Sequence, residues 1–157
     1  MKKQIIILTL SLFVLILTNK NVQAQTSATP ITAGISVPWT DNQLIEPAEL
    51  DARLKDDKAT QPIIFNIGAV EDIKFAKHIG AVNNTENLGK LKAALAGLPK
   101  STAIVIYCGC CPYTKCPNIR PAFFELQKEG FANIKVLNLP TNLHTNWTSK
   151  GYPMADK

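Results

Sequence analysis

Apolar residues in this chain gather into short unbroken runs separated by helical stripes, the pattern of a sheet covered by helices. Pro62 to Ile67 (PIIFNI) is a largely apolar run closed by Gly68, and Ala103 to Tyr107 (AIVIY) is the strongest β-branched run. Apolar runs of this length bounded by turn residues predict strands buried on both faces. Asn133 to Leu139 predicts a further strand, and shorter ones are expected at Val37–Thr40 and around Ala81–Val82. Between them lie helices. Glu46-Pro47 opens one that runs to about Lys55, with proline in the tolerated first turn and Glu49 near the positive end of the dipole. Thr85 is expected to cap a second, whose Leu88, Leu91, Leu95 and Leu98 recur at helical spacing until Gly97 to Pro99 ends it. Ile119, Phe123 and Leu126 define a third, from Ile119 to Glu129, stopped by Gly130. A last short helix is expected over Asn142 to Lys150. The alternation predicts an α/β domain with a mainly parallel central sheet flanked by helices. Such sheets bind ligands beyond the carboxyl ends of their strands. The Ala103–Tyr107 strand runs straight into Cys108.

The amino-terminal segment does not fit this pattern. Lys2 and Lys3 precede a 14-residue run from Ile5 to Thr18 that is apolar apart from Thr9, Ser11 and Thr18, and Val22-Gln23-Ala24 offers a small-residue cleavage site. Residues 1–24 thus read as a signal peptide, too short in its apolar part to span a bilayer. Residues 25–36 are small and polar and read as a flexible tail, leaving residues 37–157 as one domain. Loss of Lys2, Lys3 and Lys20 lowers the formal net charge from +5 to +2. That leaves no electrostatic case for nucleic acid or a membrane surface as partner. A periplasmic or secreted monomer is expected.

All four cysteines lie in the loop after the strong strand, as Cys108, Cys110, Cys111 and Cys116. In an oxidising compartment, scattered cysteines staple distant segments, and a disulfide stabilises largely by the length of chain it closes. Bridges within nine residues contribute little, so the cluster points to chemistry. A cysteine between a buried strand and a helix N-terminus is placed for thiolate formation, with Lys115 and Arg120 adding positive charge. The loop amides also suit an oxyanion.

Several segments, in order, resemble the rhodanese-like sulfurtransferases. Ile104-Val-Ile-Tyr-Cys108 is similar to the strand and nucleophile of that family. Leu126 to Phe131, Asn133 to Leu137, Trp147 and Gly151-Tyr-Pro153 follow the order of its carboxyl-terminal half. Ile45 to Leu50 resembles its opening helix, Ile63 to Ile67 its central strand, and His78-Ile-Gly-Ala81 a shortened form of another of its motifs. Asn66 stands where the family commonly has an acidic residue. The resemblance implies a double displacement in which Cys108 takes a sulfane sulfur from an anion such as thiosulfate, as a persulfide. It implies that amides from Gly109 onward cradle the negatively charged persulfide and, matched across an insertion, that Arg120 is the catalytic arginine; Lys115 adds positive charge to that anion cradle. A thiol acceptor or a reductant completes the cycle, and no cofactor is implied. The loop is longer than is usual in the family and adds Cys110, Cys111 and Cys116, any of which is placed to resolve the persulfide into a disulfide.

Two other chemistries start from the same residues. Cys111-Pro-Tyr-Thr-Lys-Cys116 suggests a thiol–disulfide oxidoreductase, although redox motifs usually space their cysteines by two residues. Four thiolates suggest a metal-binding module for a soft ion such as Zn or Cu(I). One nine-residue loop cannot readily wrap four donors tetrahedrally, so no metal is assigned. His78 is expected to hydrogen-bond a loop beside the central strand, His144 to be solvated, Trp39 and Trp147 to pack in the core, and Tyr113 to flank the loop.

Overall fold

The computed structural model describes residues 36–156. The expected signal peptide and all of the expected tail except Ser36 lie outside the described residues. Among the described residues, no helix is long and apolar enough to cross a membrane.

Five strands, β1 (Leu44–Ile45), β2 (Ile63–Asn66), β3 (Ala76–His78), β4 (Ile104–Tyr107) and β5 (Ile134–Leu137), form one sheet in the order β1-β5-β4-β2-β3. Every pairing is parallel, with Phe65 opposite Ile106 and Ile104 opposite Ile134. Four helices cover it: α1 (Pro47–Lys55), α2 (Thr85–Leu95), α3 (Ile119–Lys128) and α4 (Leu143–Asn146). The α/β class and the parallel sheet are those the apolar runs predict, and the architecture is consistent with a rhodanese-like fold.

Strand side chains alternate between faces, and that alternation builds two cores. Phe65, Ile104, Ile106, Ile134 and Val136 pack with Leu91, Leu95, Phe123 and Leu126 of α2 and α3. Ile64, Val105, Tyr107 and Leu137 pack with Leu50 and Leu54 of α1 and with Leu143 and Trp147 at α4. Cys108 continues the Ile104–Ile106 face and therefore points toward the α2/α3 layer. Trp39 and Trp147 are buried as expected, Trp39 edge-on to Phe123 at 5.7 Å.

Four local expectations are corrected. Val37–Thr40 is not a strand: Pro38 has no N–H for a ladder, and Thr40 closes a capping box over the 3-10 turn Asp41–Gln43. The strand is β1, immediately after that turn. Ala81–Val82 is not a strand either. The chain pairs with β2 earlier, through Ala76–His78, and leaves the sheet at Gly80, whose φ is +87°. Asn84, not Thr85, caps α2, accepting from the Glu86 N–H at 2.8 Å. The expected helix over Asn142 to Lys150 is two pieces, α4 and a 3-10 turn Thr148–Lys150, broken at Trp147.

Candidate active site

β4 is the middle strand of the sheet, and Cys108 follows immediately after its last residue, Tyr107. Its side chain is fully buried, as is that of Cys116, while Cys110 is exposed and Cys111 half-buried; all four are free thiols. The path from Cys108 to α3 is set by few interactions. Gly109 turns the chain with φ +77°, and a Cβ there would come within 2.9 Å of both Leu143 and Val70. The Leu143 N–H donates to the Gly109 carbonyl at 2.8 Å, and the Tyr113 N–H to the Leu139 carbonyl at 3.1 Å. The loop is thereby tied to the segment after β5.

The sulfurs form a connected group. Cys108 Sγ lies 3.3 Å from Cys110 Sγ, which lies 3.4 Å from Cys111 Sγ. The sulfurs of Cys108, Cys110 and Cys116 all lie within 4.8 Å of one another. Asn118 Nδ2 donates to Cys108 Sγ at 3.2 Å, while its Oδ1 accepts from the Asn83 N–H at 2.9 Å. With both ends engaged, the amide is fixed with its donor side toward the sulfur. Asn118 occupies the N-cap position of α3 yet its side chain caps nothing. A residue type that ordinarily closes a helix end is used here to hold a sulfur.

These contacts decide which thiol ionises. The Cys108 thiol is lowered to about 5, chiefly because the Cys116 thiol donates to it, with further help from Asn118, Cys110 and the Cys110 backbone N–H. Burial opposes the shift and loses. As the donor, Cys116 has its own ionisation pushed up, first by that hydrogen bond and then by burial; the N–H groups of Asn118 and Ile119 work the other way. Burial and the neighbouring sulfurs push Cys110 up to about 12. The cluster therefore carries its first negative charge on Cys108 at neutral pH.

The remaining candidates are placed as follows. The backbone N–H that reaches Cys108 is that of Cys110, and Gly109 supplies the turn that brings it there. Lys115 is exposed on the loop. Arg120 donates to the Thr114 carbonyl at 3.0 Å and to the Ser36 carbonyl at 3.4 Å, with its guanidinium 5.9 Å from the Trp39 ring. Tyr113 is half-buried against Trp39 rather than free on the loop. His144 is exposed and lines a cleft of about 400 Å³ with Val70, Glu71, Gly109, Cys110 and Leu143. This cleft opens at the carboxyl ends of β2 and β4, and Cys110 stands in its wall.

The loop after β2 supports the site from the other side. Asn66 is buried; its Nδ2 donates to the Val70 carbonyl and to Asp72 Oδ1, both at 2.8 Å, and its Oδ1 accepts from the Gly68 N–H. An amide satisfies these three partners at once, whereas a carboxylate has no donor for Val70 and would face Asp72. His78 Nδ1 lies 3.0 Å from Asp72 Oδ1, the expected loop contact. The buried Tyr107 hydroxyl accepts from the Ile73 N–H at 2.9 Å and donates to the Glu71 carbonyl at 3.2 Å. At Gly68 the two loops touch, for a Cβ would sit 2.2 Å from the Cys108 carbonyl and 2.9 Å from its sulfur. The sequence pattern gave no sign of Asn118 or Gly68. Only Asn118's position just after Cys116-Pro117 set it apart.

No protein-family model matches the chain, and no curated protein matches it. Among solved structures it is similar to one of EanB with a cysteine persulfide, in a tetrahedral intermediate state with ergothioneine. That match has 23% identity and a TM-score of 0.50 and covers 71% of this chain. It takes in 27% of that protein's chain. The two share a fold.

Proposed function

We propose that the protein is a sulfurtransferase that carries a sulfane sulfur as a persulfide on Cys108. The observation that carries this reading is one buried sulfur just beyond the central strand, with Asn118 Nδ2 donating to it at 3.2 Å and the Cys110 and Cys116 sulfurs beside it, an arrangement that favours its thiolate. The fold's likeness to EanB, whose solved structure holds a cysteine persulfide, agrees with it.

With thiosulfate as donor, the Cys108 thiolate attacks the outer sulfur. The sulfur–sulfur bond of thiosulfate breaks, sulfite leaves with the electron pair, and the new persulfide keeps one negative charge. The donors that lower the Cys108 thiol then face an anion of the same sign. They are fixed before the reaction, so the site does not reorganise as charge moves outward. A thiol acceptor or a reductant takes the sulfur away. The leader pattern at the amino terminus supports an exported setting, periplasmic or secreted.

Incubation of the reduced protein with thiosulfate should add about 32 Da to the intact mass, located by peptide mapping on Cys108. Cys108→Ser should abolish both the adduct and sulfite release, while Cys110→Ser should retain part of each. Full activity in Cys108→Ser would rule the reading out. A second reading, thiol–disulfide exchange without sulfane sulfur, is favoured by the 3.3 Å contact between Cys108 and Cys110. It would appear as oxidation of the pair by a disulfide substrate, a loss of about 2 Da with no sulfite.

A further inference from the structure

The buried and exposed sulfurs have different access to a persulfide on Cys108. A thiol arriving from solvent meets Cys110, which stands in the cleft wall, before it meets the enclosed sulfur of Cys108. Cys116 needs no such path. It is as deeply enclosed as Cys108, and its sulfur lies within 4.8 Å of the Cys108 sulfur.

Cys116 is also equipped to carry charge. It lies two residues before Asn118, the N-cap of α3, where the N–H groups of Asn118 and Ile119 favour its charged form. Helix N-terminal amides have no partner within the helix and favour an anion. What chiefly opposes ionisation of Cys116 is its bond to the Cys108 thiolate. That opposition ends once the Cys108 sulfur is bonded to a second sulfur and its charge has moved outward. Cys110 differs in place: it is exposed in the cleft wall, where an external thiol reaches it first.

We propose that Cys116 resolves the Cys108 persulfide and releases its outer sulfur as hydrosulfide, making the protein a sulfane-sulfur reductase. This step rests on the persulfide reading above. Cys116 Sγ attacks Cys108 Sγ, and a bond forms between them. The bond from Cys108 Sγ to the outer sulfur breaks. The outer sulfur leaves with that electron pair and with the Cys116 proton, as hydrosulfide. It gains two electrons, and each cysteine sulfur gives up one. The resulting Cys108–Cys116 disulfide is enclosed, so its reduction starts at Cys110, 3.3 Å from Cys108. Attack by Cys110 moves the bond to Cys108–Cys110 and frees Cys116. An external dithiol then reduces the pair at the exposed Cys110. Over one cycle the dithiol becomes a disulfide and the sulfane sulfur becomes hydrosulfide.

The test is a single turnover of the reduced, desalted full-length protein with thiosulfate and no other thiol, reading sulfite, sulfide and intact mass together. The wild-type chain should release sulfite and then sulfide in equal amounts and finish about 2 Da lighter, and the loaded part of Cys110→Ser, where the bond cannot move on, should map as joined from Cys108 to Cys116. Cys116→Ser should release sulfite, hold a stable gain of about 32 Da, and yield sulfide lowered at least about tenfold. Cys116→Ala repeats the measurement with an apolar residue in the buried position, and a persulfide in either variant demonstrates an intact site. Sulfide at the wild-type yield from either variant overturns the step and leaves the sulfurtransferase intact. So does a Cys110→Ser chain that keeps its persulfide and yields no sulfide, or a wild-type persulfide that persists without sulfide. Absence of sulfite from the wild-type chain overturns the persulfide reading and this step with it.

Discussion

Two loops leave the carboxyl edge of the sheet side by side, one after β2 and one after β4, and they are held in opposite ways. The β2 loop is fixed by polar side chains reaching into it: Asn66 bonds Gly68, Val70 and Asp72, and the Tyr107 hydroxyl bonds Ile73 and Glu71. Burial pushes the ionisation of Tyr107 above the usual phenol range, so it serves there as a neutral phenol. The β4 loop is tied at its edges by backbone bonds, and its interior is filled by sulfur atoms and one amide. The first is a scaffold with its hydrogen bonds matched. The second keeps a charged, polarisable group inside the protein, which is costly unless donors converge on it. The contrast separates the residues expected to govern stability from those expected to govern reactivity.

The largest effect is expected where the loops meet. Gly68→Ala would drive a methyl group into the Cys108 carbonyl, backbone that has no room to yield. Overpacking of this kind should cost on the order of 3 kcal/mol or more and remove sulfur loading as well. Urea unfolding and the thiosulfate mass gain would check the two parts, and an unchanged midpoint would mean that the loops are less tightly apposed. Asn66→Ala comes next. It leaves the Val70 carbonyl and the Gly68 N–H without their partner inside the protein, for a loss of about 2–3 kcal/mol. Loading by the folded fraction should change little, because no Asn66 atom bonds a sulfur.

Asn118→Ala should do the reverse. Its loss removes one donor from Cys108 and leaves the Asn83 N–H unmatched, costing about 1 kcal/mol in stability. In the wild-type protein the loading rate should be flat at neutral pH and fall as pH drops through about 5, where the Cys108 thiolate is protonated. Without the Asn118 donor that fall should move to higher pH. The variant should then be several-fold slower near the wild-type midpoint and nearly normal in alkali, by the usual thiolate dependence. Equal rates across the whole range would break the assignment of Asn118 as a thiolate donor.

How much of this was legible in the sequence follows the same division. β2, β4 and β5 were readable because strands buried on both faces are apolar throughout. β3 was not, because Ala76, Lys77 and His78 form a mostly exposed edge strand with no apolar signal, made a strand only by pairing with Ile64 to Asn66. The cysteine spacing gave one loop, but not that Cys108, Cys110 and Cys116 converge while Cys111 meets their group only through the Cys110 sulfur. Gly68 was hidden for another reason: its constraint is the Cys108 carbonyl, 40 residues further along the chain. Asn118 was hidden because asparagine before a helix has an ordinary explanation, which this one does not follow.

The smallest effect should come from Arg120, and it separates two roles for that residue. The family resemblance implies a catalytic arginine at this position. The geometry gives the guanidinium two carbonyl acceptors, Thr114 and Ser36, and the face of Trp39. A guanidinium whose Nη2 already donates to two carbonyls, with its face toward Trp39, is positioned to brace the cysteine loop against the start of the domain. If bracing is its work, Arg120→Ala should lower stability by about 1 kcal/mol, largely through lost packing and the Thr114 bond. KM for thiosulfate should then stay within about twofold of the wild type, because uniform substrate binding is untouched. Arg120→Lys should recover part of the stability through one remaining donor and none of the stacking. A KM raised about tenfold with an unchanged unfolding midpoint would instead put the arginine on the substrate. The cysteine loop would then have to open toward Arg120 when the donor binds, and the division between scaffold and chemistry would run through α3 rather than between the two loops.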